Sequence, residues 1–293
     1  MTADTTHAHH HDHHHATVDA LNEPTRTLTT RRAYARSLRA VLDAIRAAIR
    51  QGVVDDDAFG LEALFTPQPA TGFDFPRLAD KERAFDTWLD NQLSRGILQP
   101  NRTGNEFLHR SYTQGLSSAT RDLNRVGWIE AGQAPPVEAV IRRGVHRDVL
   151  DTVYTRNYRQ LRGFSAGMGQ ETSRVLSNGL AAGHGPREIG RDLAGVIGSG
   201  GPSGATGAQA RATMIARTET MNAYHRATET RYDEVGVEQV EIHLGGGPCA
   251  ACEQLAAGGP YRLEEIRGTL PLHPNCKCAV APVPPRGTRP TGR

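Results

Sequence analysis

All four cysteines of this chain lie between residues 249 and 278. They read Cys249-Ala250-Ala251-Cys252, then twenty residues, then His273-Pro274-Asn275-Cys276-Lys277-Cys278. Two close sets of soft donors separated by a short insert is the spacing of a tetrahedral zinc site. The first pair follows Gly245-Gly246-Gly247-Pro248, where glycines let the backbone turn its amides toward the sulfurs. The second set offers three donors, His273, Cys276 and Cys278, so either His273 or Cys278 is left over from a shell of four. Two disulfides are the alternative. They need an oxidising compartment and usually a secretory signal, which is not visible here, so zinc is the expected reading. A shell of Cys249, Cys252, Cys276 and one further donor is closed, and closed sites are structural because catalysis needs an open position. Such an ion would supply folding energy to a segment with few large apolar side chains.

The pattern upstream is mainly helical. Before it, the first 29 residues look unfolded and hold seven histidines between His7 and His15, a tract without fixed metal geometry. The first helix is expected from about Thr30 to Gln51, with Leu38, Val41, Leu42, Ile45 and Ile49 as its apolar stripe. Arg32, Arg36, Arg39, Arg46 and Arg50 line a separate face. That face is either simply solvated or a surface for nucleic acid or an acidic partner. Residues 52–75 read as a loop, Phe75 to Gly96 as a second helical segment, and 97–135 as ambiguous, with helical character from Phe107 to Val126. The N-terminal helical region is therefore drawn as 30–135.

From Pro136 the periodicity sharpens. Leu150, Val153, Tyr154, Tyr158, Leu161, Phe164 and Met168 make a stripe that continues through Leu176 toward Asn178-Gly179, where glycine is expected to end the helix. Pro186 opens the next helix, with Ile189, Leu193, Val196 and Ile197 buried. The glycines of 198–204 are a linker and lack the lysine of a phosphate loop. Residues 208–234 form a long alanine-rich helix containing Ile215-Ala216-Arg217-Thr218-Glu219-Thr220. Val240, Ile242 and Leu244 then alternate with polar residues as a half-buried strand, and Val280 to Val283 add a second one that pairs with it. The fold class is thus mainly α with a small C-terminal α+β module, 237–283, stapled by zinc. Residues 284–293 are a basic, proline-rich tail.

The order from Leu150 onward is specific: long helix, Gly-Pro-initiated helix, Ala216-Arg217-Thr218-Glu219, strand, Cys-x-x-Cys, then His-Pro-Asn-Cys-Lys-Cys. It resembles the phage Mu F-like minor head proteins, or head morphogenesis proteins, of tailed viruses, over roughly residues 145–283. Lys277 stands where the family usually has arginine, and Ala250 where proline is common; neither change removes a donor. The resemblance implies a low-copy virion component inside the head near the portal vertex, associated with assembly and in some cases with genome packaging or delivery. Its partners would be the portal protein or the capsid interior, with packaged double-stranded DNA contacted without sequence preference.

Arg217 and Glu219 are two apart on a helix and point in different directions. One of them is expected to anchor the helix to the zinc module. An enzymatic alternative is a metal-dependent nuclease or hydrolase with three protein ligands and Glu253, Glu264 or Glu265 as base, although no glutamate has the offset of a His-Glu-x-x-His site. A third reading is a free zinc-ribbon regulator. The net charge of +2 gives no global field for polyanions and weighs against it. No eighteen-residue apolar run exists, which rules out a membrane-spanning helix on length.

Overall fold

The computed structural model describes residues 23–61, 75–99, 104–130, 132–198 and 207–285. The histidine tract, most of the glycine linker, part of the 52–75 loop and the tail from residue 286 onward lie outside them. Among the described residues, nine helices and three short strands follow in chain order: α1 (Leu28–Arg50), α2 (Phe75–Leu93), α3 (Asn105–Val126), α4 (Val137–Ile141), α5 (Gly144–Ala181), α6 (Pro186–Ile197), α7 (Ala208–Val235), β1 (Gln239–His243), α8 (Ala250–Ala257), β2 (Tyr261–Arg262), α9 (Leu263–Ile266) and β3 (Ala279–Pro282). One π-helical turn, Gln51–Asp55, extends α1, and another, Ser94–Leu98, extends α2. The protein is mainly helical with one small C-terminal sheet. No helix among the described residues is long and apolar enough to cross a membrane.

α7 is the axis of the molecule. It packs against α1, α3, α5 and the sheet edge β3, and its buried residues surround it on every side, from Ala212 and Ala216 to Tyr224, His225, Glu229 and Tyr232. Small side chains let its neighbours approach closely, which is why an alanine-rich helix with so many polar residues can sit at the centre. Ser111 of α3 donates to the Thr220 carbonyl at 2.7 Å. The main apolar core joins α1, α2, α5, α6 and α7 through Leu38, Leu42, Phe85, Leu161, Phe164, Leu176 and Leu193. Residues on both sides of the 135/136 boundary therefore share one core.

Three local expectations change. Residues 23–29, expected as unfolded, are packed: Glu23, Thr25 and Thr27 are buried, and the Thr27 hydroxyl lies 3.2 Å from the Met221 sulfur. In α5, Tyr158 is 44% exposed, and the inward position is taken by Asn157, which accepts a hydrogen bond from Tyr34 Oη at 2.8 Å. A polar residue with a buried partner replaces the apolar one that the stripe suggested. Gly179 does not stop α5; it lies within the helix, and a β-carbon there would come within 3.0 Å of Ile189 Cγ1, so glycine serves the close packing of α6. The helical character expected from Phe107 to Val126 is a full helix, α3.

The sheet is antiparallel with order β2-β1-β3. Val240 faces Pro282 and Ile242 faces Val280 across β1 and β3, so the two strands expected from sequence do pair. Val240 and Ile242 point inward, but Leu244 lies beyond the strand end and is 40% exposed. Below the sheet a second core combines Ala119 and Leu123 of α3, Tyr232 of α7, and Leu263, Ile266, Leu270 and Val280 with three of the cysteines. Trp128 Nε1 donates to the Val283 carbonyl at 2.8 Å and clips the end of β3 to the turn after α3.

Candidate metal centre

The chain folds the two cysteine sets toward each other from opposite ends of the module. β1 leads into Gly245-Gly246-Gly247-Pro248. Cys249 is the N-cap of α8, and Cys252 lies in its first turn. The amides of that first turn have no helical partners and favour negative charge; the backbone N–H of Cys252 is the foremost cause holding the Cys249 thiol below its ordinary range. The second set sits on a tight turn. Cys276 N donates to the His273 carbonyl at 3.1 Å, and Asn275 takes a left-handed φ of 71° that asparagine tolerates better than most residues. The two sets meet back to back at Gly245, where a β-carbon would sit 2.7 Å from the Lys277 carbonyl oxygen.

Five donors converge in two overlapping triads, Cys249–Cys252–His273 and Cys252–Cys276–Cys278. Cys252 belongs to both. His273 Nε2 lies 3.2 Å from both the Cys249 and Cys252 sulfurs, and Cys252 Sγ is 3.9 Å from Cys276 Sγ. A tetrahedral ion with metal–sulfur bonds of about 2.3 Å has sulfur–sulfur edges of about 3.8 Å, so the spacing fits. The imidazole is also set for it: Nδ1 lies 2.8 Å from the Pro274 carbonyl. Donation there leaves the Nε2 lone pair facing the sulfurs, the second-shell arrangement that orients metal-binding histidines.

All four cysteines are free thiols, so the disulfide alternative is not what this geometry forms. Without an ion the thiols polarise one another. Hydrogen bonding from Cys278 takes Cys276 down to about 5. Burial pushes Cys252 up to about 11, and the Cys276 interaction pushes Cys278 up as well. Cys252, Cys276 and Cys278 are buried while Cys249 is exposed, so the cluster has a closed inner side and one open corner. The five side chains form a cluster able to hold a metal ion.

Arg217 and Glu219 part as helical geometry requires. Arg217 Nη1 donates to Asn275 Oδ1 at 2.8 Å, so α7 touches the turn that carries His273 and Cys276. This contact is an exposed hydrogen bond to a side-chain amide. Glu219 instead faces α5, where Arg156 Nε lies 3.1 Å from its carboxylate. Glu265 caps α9 by accepting from Arg262 N, and Glu264 pairs with Arg262. Arg32, Arg36, Arg39, Arg46 and Arg50 are all exposed on α1.

Two residues beside the module carry no motif. His225 is fully buried beneath Cys278, and burial lowers it to about 3, so it is a neutral core imidazole. Glu229 accepts from Gly268 N at 3.1 Å and ties α7 to the turn after α9. Their only trace in the sequence is that Asn222, His225 and Glu229 share a helix face. Burial raises Glu229 to about 7, against hydrogen bonding from Gly268 and the nearby Arg226, which favour the charged form. A carboxyl raised in the fold binds more protons folded than unfolded between its two values. Its stability contribution is therefore complete below the ordinary 4.5 and is lost as pH rises through about 7. Glu229→Gln keeps an acceptor for Gly268 and removes the charge. In paired melts the variant should match the wild type near pH 4 and exceed it by about 3 kcal/mol at pH 8; a gap independent of pH would refute the assignment.

The chain matches no protein-family model, no curated protein and no solved structure.

Proposed function

We propose that this chain is a minor head protein of a tailed virus, a non-enzymatic, low-copy component inside the head near the portal vertex, with a zinc ion clamping its C-terminal module. One observation supports the reading most. The sharpest pieces of the resemblance are Ile215-Ala216-Arg217-Thr218-Glu219-Thr220, Cys249-Ala250-Ala251-Cys252 and His273-Pro274-Asn275-Cys276-Lys277-Cys278, and Arg217 of the first meets Asn275 of the last directly across 58 residues of chain. A helix motif that exists to seat a metal turn has a reason to keep company with it. Zinc is the ion that thiolates and one imidazole select in a tetrahedral shell. The portal protein or the capsid lining is the expected partner of the helical body, and the exposed arginines of α1 are the expected contact with packaged duplex DNA, through phosphates rather than bases.

Particles of the virus encoding this chain provide the test. Mass spectrometry should find it in a few copies per purified head, protected from protease until the head is opened, and the isolated protein should carry about one zinc per chain. Absence from purified heads would overturn the reading. Metal-dependent cleavage of DNA by the purified chain would favour the hydrolase instead.

A further inference from the structure

We infer that a phosphodiester backbone seats in the groove between α1 and α6, held by Arg46, Arg50 and Arg187. This deepens the duplex-contact part of the reading above and rests on it for its biological setting. The groove, about 570 Å³, is lined by Arg46, Arg50 and Asp43 from α1 and by Arg187, Gly190 and Arg191 from α6. Arg191 is already neutralised, by Glu188 at 3.3 Å and Asp192 at 3.2 Å; Asp43 accepts from the Gln209 amide at 2.9 Å and keeps its negative charge. Arg46, Arg50 and Arg187 make no ion pair among the described residues, and all three are exposed.

Three unpaired guanidinium groups facing a single carboxylate, Asp43, leave the concave surface net positive and raise the local concentration of anions. Their planar forks match phosphate oxygens two at a time. The length of the row selects a polymer over a mononucleotide. At 100° and 1.5 Å per residue, Arg32, Arg36, Arg39, Arg46 and Arg50 fall within an arc of about 80° and run about 27 Å along α1, which is the rise of about eight base pairs. Arg187 and Arg191, one turn apart on α6, form the opposite bank. A strand lying along α1 would enter the groove at Arg46 and meet cations from both sides. Base edges play no part in this geometry, so binding is indifferent to sequence.

Fluorescence anisotropy with the purified full chain and a labelled 20-base-pair duplex of arbitrary sequence tests the inference. The Arg46→Gln/Arg50→Gln/Arg187→Gln variant should bind at least tenfold more weakly at 50 mM salt. Its slope of log affinity against log salt should be shallower by about 2.7, the loss of three phosphate contacts at about 0.9 each. Arg83→Gln/Arg125→Gln/Arg174→Gln removes the same charge from exposed sites elsewhere and should bind as the wild type does; circular dichroism melts confirm that both variants fold. Wild-type affinity in the groove variant would overturn the inference and send the contact to the terminal arginines. So would absence of duplex binding at 50 mM salt, or a polyglutamate peptide that binds tighter than the duplex, which would make the partner an acidic protein. None of these failures bears on whether the chain resides in virus heads.

Discussion

Replacing Cys252 with serine should unfold the C-terminal module and leave the helical body standing. Cys252 is the one donor common to both triads, in contact with His273 on one side and Cys276 on the other. No rearrangement of the remaining four can substitute for a sulfur at that crossing. The module has little else to hold it. Its strands have five, two and four residues, and three of its thirteen core residues are the cysteines themselves. Structural zinc supplies roughly 10–16 kcal/mol of apparent binding energy in small metal-folded domains, which exceeds what a domain of ordinary stability can lose. Limited proteolysis should therefore cut Cys252→Ser between residues 237 and 283 at a rate matched by chelator-treated wild type, with metal content falling to near zero. Cys249→Ser should be milder, because Cys249 occupies the exposed corner and five donors stand where four are needed. A Cys252→Ser protein that keeps the wild-type melt and cleavage pattern would mean that the thiols are an ordinary core and that no ion organises them.

The contrast between α1 and α3 shows what patterning can and cannot reveal. α1 buries Leu38, Leu42, Ile45 and Ile49, large residues whose spacing is audible in any hydropathy reading, and its bounds were expected within about two residues. α3 buries Ser111, Gly115, Ser118 and Ala119 alongside Leu108, Tyr112, Leu116 and Leu123. Four of the nine residues on that face are invisible to a scale that rewards bulk, because their purpose is close approach and not apolar volume. The same cause hid the centrality of α7, whose alanines and threonines look like a surface helix. At the cysteine and histidine cluster, residue type alone picked out the five side chains that converge, since thiols and a histidine at such spacing have few other uses. The supports were illegible for the opposite reason: a single His225 or Glu229 in a polar helix looks solvated until the module covers it. Arg217 and Glu219 fall between these cases. Their divergence followed from helix geometry, but only the folded chain assigns Arg217 to Asn275 and Glu219 to Arg156.

The second large effect lies at the crossing of α3 and α7. A β-carbon at Gly115 would meet the Tyr224 carbonyl oxygen in hard contact and the Ala227 β-carbon at 2.9 Å. Neither obstacle can rotate away, since one is backbone and the other is the first atom of a side chain. Ser111 Oγ donates to the Thr220 carbonyl at 2.7 Å, so separating the helices also leaves that buried hydroxyl without its partner. Gly115→Val should destabilise the protein by about 3 kcal/mol or more, the upper range of overpacking in a close-packed core. A chain of this size translates that into a melting point lower by roughly 6–12 °C. Ala119, Leu123 and Tyr232 form the floor of the metal module, so the loss should spread there and speed proteolysis of residues 237–283. Gly163 supplies the control. It lies mid-helix in α5 with nothing within 4 Å of where a β-carbon would stand, and Gly163→Ala should stabilise by about 0.5–1 kcal/mol through the unfolded chain alone. The two glycines must therefore shift the melting point in opposite directions; equal behaviour would show that the helices do not cross where Gly115 and Tyr224 place them.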